Sequence, residues 1–255
     1  HKNEKFVQLA ELLIQKSVCQ QNLADYENSL SSINEFISEF PEHPLRGIAL
    51  FSKAENLFLL NQIKEAAPAY ANFMTNFPEH PNQLVAQFRV IQINHGQGQW
   101  EECLKDSASL LKKDLKGPLF AQLDFIIGDC SFRLEEWEEA ITHLENFSVS
   151  NVSEGKITAI ENLDTALMQL AVAHSRNGDD AKALSKLKVL ADSYPGSTPH
   201  LPLALAEQGR IAFESGDFKA ARTALERFLE EDKKMLKPFS DGAQVQRPRV
   251  MYYLG

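Results

Sequence analysis

Few residues in this sequence stand at the spacings that chemistry requires. His43 and His80 recur inside identical Pro-Glu-His-Pro segments, and histidines repeated at one interval could form a ladder of metal ligands. Glu138 and Glu139 offer paired carboxylates for general acid and base work, and His95-Gly96-Gln97-Gly98 offers a short glycine loop to a phosphate. In each case the surroundings favour a structural role. Prolines bracket both histidines, the glutamates belong to a solvated helix surface, and the glycine loop has neither a preceding strand nor the lysine of a phosphate loop. That loop is expected to be a turn between helices. Cys19, Cys103 and Cys130 are odd in number and far apart, unlike a disulfide framework or a CxxC metal site, so buried free thiols are expected. No His-Glu-x-x-His or Gly-x-Ser-x-Gly occurs. The sequence predicts no catalytic residue, no metal site and no cofactor, and hence a protein that is not an enzyme.

Composition narrows the class further. The 255 residues are 44% apolar and 24% charged, with 12 Gly and 11 Pro, values of a packed globular chain rather than a collagen-like or disordered one. A net charge of −9, with lysines and arginines interspersed among acids, excludes a nucleic-acid partner, because phosphate contacts need clustered cations. No run approaches the roughly 18 apolar residues of a membrane-spanning helix, so no transmembrane segment is expected. The chain opens His1-Lys2-Asn3 without a signal peptide, which is read as a processed start and leaves the compartment open.

The dominant feature is a repeat. Phe36-Ile37-Ser38-Glu39-Phe40-Pro41-Glu42-His43-Pro44 returns 37 residues later as Phe73-Met74-Thr75-Asn76-Phe77-Pro78-Glu79-His80-Pro81, and Trp100-Glu101-Glu102 returns at the same interval as Trp137-Glu138-Glu139. Taking Trp137 as a reference, equivalent residues are Tyr26, Ile63, Trp100, Asp180 and Phe218, at intervals of 37 to 43 residues. Position −9 carries Ser17, Ala54, Ile91, Gly128, Ala171 and Gly209, mostly small. Position +3 carries Ser29, Ala66, Cys103, Ala140, Ala183 and Ala221, always small, and position +10 carries Phe36, Phe73, Leu110, Phe147, Leu190 and Phe228, always large and apolar. Amphipathic stretches of helical length lie between, so each unit is a helix pair. Small residues let the two helices approach closely, and large ones fill the space beside that contact. Gly98, Gly178-Asp179 and Gly216-Asp217 mark the turn within a pair, and Pro41, Pro78 and Pro195 stop the second helix.

These units resemble tetratricopeptide repeats. Gly209, Gly216-Asp217-Phe218, Ala221, Leu225 and Phe228 follow the family pattern, as do Gly128, Trp137, Glu138-Glu139-Ala140 and Leu144. The family period is about 34 residues; the longer interval here, with the endings Phe40-Pro41, Phe77-Pro78 and Tyr194-Pro195, resembles bacterial envelope members. Those include outer-membrane assembly lipoproteins and a periplasmic partner of the Tol-Pal system. The resemblance covers residues 5–255 and implies an all-α, right-handed solenoid in one array. The units run at about 10–46, 47–83, 84–120, 121–163, 164–201 and 202–247, with 248–255 opening a seventh. Further residues after Gly255, or an interface covering that apolar end, are expected. Pro68 predicts a late start or a kink in its helix, and the polar residues 148–156 predict an inserted loop.

Two rows could line the groove that the resemblance implies. Position −12 holds Phe51, Phe88, Phe125 and Met168, and position −5 holds Phe58, Phe132 and Phe213. They either fill contacts between neighbouring first helices or form an apolar groove for a peptide or a partner helix. Polar groove candidates are Gln92, Asp129 and Arg210 at position −8, with Glu55, and Arg133 and Arg176 at position −4. Phe and Met in the first row argue against the carboxylate grip by which some family members hold chaperone tails. The implied function is a non-enzymatic scaffold for a protein or peptide partner, weakly placed in the bacterial periplasm or at the outer membrane. Alternatives are the recognition region of a longer protein with an enzymatic domain elsewhere, and self-association through the end units.

Overall fold

The computed structural model describes residues 2–113, 122–149, 152–153, 156–157, 160–194, 198–234 and 246–254. The fold is an all-α repeat solenoid. Its first compact unit, within residues 1–120, contains α1 (Lys2–Asn22), α2 (Tyr26–Glu39), α3 (Arg46–Leu59), α4 (Ile63–Asn76), α5 (Gln83–Gly96) and α6 (Trp100–Leu110). Its second, within residues 121–255, contains α7 (Leu123–Arg133), α8 (Trp137–Val149), α9 (Leu163–Arg176), α10 (Asp180–Lys188), α11 (Leu201–Glu214), α12 (Phe218–Lys234) and α13 (Gln246–Leu254). Odd and even helices up to α12 are the first and second members of successive pairs.

Each second helix begins at a reference residue, and the turn before it has one backbone conformation throughout. Position −2 is left-handed in every pair: Ala24, Asn61, Gly98, Glu135, Gly178 and Gly216 all have φ between 56° and 83°. Three are glycines, which enter this region freely; the other three accept a steric cost. The next residue caps the helix where it is aspartate. Asp179 accepts from the Lys182 amide at 3.0 Å and Asp217 from the Ala220 amide at 3.0 Å, satisfying donors that lack partners in a first helical turn.

Within a pair the two helices meet where one side chain is minimal. A methyl group on Gly128 would lie 2.5 Å from Leu144 Cγ, and one on Gly209 would overlap Leu225. These leucines occupy position +7. Where position −9 is instead the bulky Ile91, position +7 shrinks to Ser107, so volume is exchanged across the contact. Beside it, position +3 is completely buried at Ser29, Ala66, Cys103, Ala140 and Ala183, and position +10 at Phe36, Phe73, Leu110 and Phe228. In the first pair the small residues bond directly, Ser17 Oγ to Ser29 Oγ at 2.7 Å, and Asn56 of the second pair donates to Ser29 Oγ at 2.9 Å.

The Pro-Glu-His-Pro segments are structural. The His43 ring meets Phe36 edge-on and its Nδ1 accepts from the Leu45 amide at 3.2 Å; His80 does the same with Phe73 and the Asn82 amide at 3.1 Å. Helices α2 and α4 end one residue before Phe40-Pro41 and Phe77-Pro78, while Pro195 lies outside the described residues.

Three expectations need correction. Helix α4 starts at Ile63, without delay, and runs through Pro68, which lies exposed and withholds a single donor from the ladder. Cys103 and Cys130 are buried but Cys19 is exposed, because it lies on the outward face of α1. Residues 148–156 are not simply loop: Ser148 and Val149 extend α8, and Val152–Ser153 pairs antiparallel with Lys156–Ile157, the β-branched Val152 opposite Ile157. Helix α13 (Gln246–Leu254) buries Val250 and sets Tyr253 against Phe213 with ring centres 5.0 Å apart.

Three outcomes follow for stability. Gly209→Ala forces Leu225 aside and should cost about 1–3 kcal/mol in chemical denaturation, despite the better helix propensity of Ala. Ala24→Gly relieves a left-handed alanine and should gain about 0.5–1 kcal/mol, whereas Gly178→Ala, with nothing within 4 Å, should lose a similar amount by conformation alone. The buried His143 joins α8 to α7, its Nδ1 2.7 Å from Asp124 and its Nε2 3.3 Å from Glu139. The Asp124 hydrogen bond, above all, holds its pKa above the ordinary imidazole value. That contribution is therefore full below about pH 6.5 and is lost as pH rises through the raised folded value. His143→Gln should remove this part of the pH dependence of the melting temperature.

Candidate functional site

The two aromatic rows point into the helix pairs. Phe88 is fully buried, and Phe125 and Met168 are 6% and 5% exposed. Phe51, half-buried, packs on Phe73 with ring centres 5.3 Å apart, and Phe125 packs on Phe147 at 5.4 Å, so position −12 meets position +10 of its own pair. Position −5 leans edge-on against the reference residue: Phe132 on Trp137 at 5.6 Å and Phe213 on Phe218 at 5.4 Å, with His95 on Trp100 at 5.6 Å in the same manner. Most of these contacts are intra-pair, while Phe58 also meets Arg89 of α5, Phe213 meets Tyr253 of α13, and Phe58 and Met168 border open clefts. The reason is geometric: twelve and five residues differ by seven, two helical turns, so both rows lie on one stripe of the first helix, and that stripe faces the second helix.

Polar groove candidates lie one residue row away and tie consecutive first helices together. Glu55 at position −8 of α3 accepts from Arg89 at position −11 of α5, Nε at 3.0 Å and Nη2 at 3.2 Å. Arg89 also donates to Gln92 Oε1 at 2.9 Å and lies 4.8 Å over the Phe58 ring, while Tyr70 donates to Glu55. Burial first, then the Glu55 carboxylate, push the Tyr70 phenol far above its ordinary pKa. Phe58 and Gln92 also border one open cleft of about 500 Å³ beside the Asn61–Glu65 turn. In the second unit Asp129 of α7, 3% exposed, accepts from Gln169 of α9 at the same pair of positions, and from Arg133 Nε at 3.3 Å.

Between α9 and α11 this pair of positions forms no tie, and Arg210 donates to Ser175 instead. Position −8 of α9 is Val172, which cannot accept or donate, and position −11 of α11 is Glu207. A cavity of about 330 Å³ opens there, with Met168, Ala171, Val172, Leu203 and Ile211 as its apolar lining. Arg176 of α9, Arg210 and Glu207 of α11, and Arg249 of α13 supply the charges. Arg210 is held by Glu207 at 2.7 Å, Glu214 at 2.6 Å and Ser175 Oγ at 3.1 Å, so its guanidinium is fixed in place. Arg249 stands 3.7 Å from Glu207 and is half exposed. Arg176 is exposed, and its guanidinium has no hydrogen bond or ion pair among the described residues.

Of the sequence candidates, the structure gathers Met168, Arg176 and Arg210 at this cavity, Phe58 and Gln92 at the cleft in the first unit, and Asp129 with Arg133 in a buried tie. Phe51, Phe88, Phe125 and Phe132 serve the pair interfaces, and Phe213 joins α11 to α12 and α13. Glu207 and Arg249 were not found from sequence. Position −11, read as a row, would have exposed Arg89, Gln169 and Glu207 together, all polar on helices otherwise apolar there; Arg249 follows a segment outside the repeat register and left no such signal.

A family model for the tetratricopeptide repeat matches residues 165–197. No curated protein matches the sequence. Among solved structures, YrrB, a TPR protein with an unusual peptide-binding site, superposes with a TM-score of 0.61 at 16% identity over 80% of this chain and 94% of its own. MamA from Desulfovibrio magneticus RS-1 gives 0.56 at 15% identity, over 71% of this chain and 93% of that one. PilF of Pseudomonas aeruginosa gives 0.57 at 12% identity, over 91% and 96%. At these identities the likeness is one of fold. Residues 165–197 thus match a tetratricopeptide repeat, and the chain shares the fold of solved tetratricopeptide-repeat solenoids.

Proposed function

We propose that this chain is a non-catalytic scaffold that engages a peptide or partner helix on the first-helix face of α9 and α11, within a larger assembly of the bacterial envelope. The observation that carries the proposal is the cavity between α9 and α11, where positions −8 and −11 form no tie: an apolar floor with fixed and free guanidinium groups, the combination by which pockets orient a ligand. The peptide-binding site of YrrB, a protein of the same type of fold, supports it. The envelope setting rests on the endings Phe40-Pro41, Phe77-Pro78 and Tyr194-Pro195 and the long repeat interval. The repeats of residues 5–255 are taken to act as one array, in which stability is shared along neighbouring units.

Filling the cavity tests this reading. Peptides are selected from a display library with the purified chain, and their binding is compared with that of Val172→Trp, whose indole occupies the cavity. Affinity should fall about tenfold or more while the helical circular-dichroism signal stays unchanged. Equal binding by both proteins would contradict the proposal.

A further inference from the structure

The charges around the α9–α11–α13 cavity specify more than a peptide. Three guanidinium groups, Arg176, Arg210 and Arg249, line the cavity beside Glu207, with Glu214 paired to Arg210 from outside the lining, in a chain whose net charge is −9. Internal pairing takes up Arg210 and part of Arg249, and leaves Arg176. Glu207 lies between Arg210 at 2.7 Å and Arg249 at 3.7 Å, Glu214 takes a second face of Arg210, and Arg176 has no bonded partner among the described residues. The levels differ as well. Met168 on the floor is 5% exposed, whereas Arg249 at the rim is 50% exposed by its side chain and Arg176 is exposed.

Resting on the function proposed above, we infer that the cavity takes an internal acidic segment of a partner protein: an apolar side chain seated on the floor, with a neighbouring Asp or Glu paired to the Arg176 and Arg249 rim. A guanidinium fits a carboxylate with two parallel hydrogen bonds, which an ammonium cannot reproduce. The volume, near the lower end of the roughly 300–1,000 Å³ of ligand pockets, admits one or two side chains. A chain terminus is a poorer fit, because its carboxylate would enter with the backbone onto a floor of Met168, Ala171 and Val172 that offers no donor. The placement of the arginines at the rim instead suits a side-chain acid beside a buried apolar neighbour.

The test uses amide-capped ten-residue peptides selected by the full chain, measured by fluorescence anisotropy. Replacing their Asp and Glu by Asn and Gln should weaken binding about tenfold, as should raising salt from low concentration to about 0.5 M. Arg176→Ala should cost roughly threefold, and Arg176→Ala with Arg249→Ala about tenfold, with Lys182→Ala, paired to Asp179 on α10, without effect. Arg176→Lys should recover only part of the loss. Peptides that lose no affinity as amides, or through the two arginine variants, but still lose it in Val172→Trp, would overturn the acidic preference and leave the groove intact. Binding that needs a free C-terminal carboxylate would assign the site to a chain end and overturn the internal segment. Binding unaffected by Val172→Trp would remove the underlying function as well.

Discussion

Everything in this fold depends on two helices being allowed to touch. At Gly128 against Leu144 and at Gly209 against Leu225 there is no room for one more carbon, and the exchange of Ile91 with Ser107 keeps the same total volume in the opposite order. A pair packed this closely buries its position +10 rings completely, so the large apolar residues are used up inside the pair. A left-handed residue two places before each second helix turns the chain sharply enough to bring the helices together.

That use of the aromatic residues decides where a partner can be met. With most of the rings at positions −12 and −5 engaged within their own pairs, the exposed face of the first helices is largely polar, and many of its polar groups are engaged with each other. Glu55 with Arg89 and Asp129 with Gln169 act as rivets between consecutive first helices. Where Val172 replaces the acidic member, the rivet cannot form, Glu207 turns to Arg210 and Arg249, and the cavity opens.

The repeat interval, the helix pairs, the small and large positions and the histidine turns were all legible in the sequence, because each recurs and packing admits few residue types there. The left-handed turns were only half legible: Gly98, Gly178 and Gly216 announce them, but Ala24 and Glu135 adopt the same backbone under tertiary constraint and give no sign of it. The phenylalanine rows misled because periodicity shows that residues share a face without showing which neighbour the face meets. Arg176 and Arg210 were found as rows, but their meeting with Arg249 depends on α13 folding back on α11, a contact that no spacing encodes.

Hydrogen exchange of the full chain, free and with a selected peptide bound, tests the central claim most directly. The account predicts slowed exchange in α9, α11 and the start of α13, with α10 and α12 unchanged. Protection confined to the outer helices α10 and α12, or to α1–α6, would contradict it.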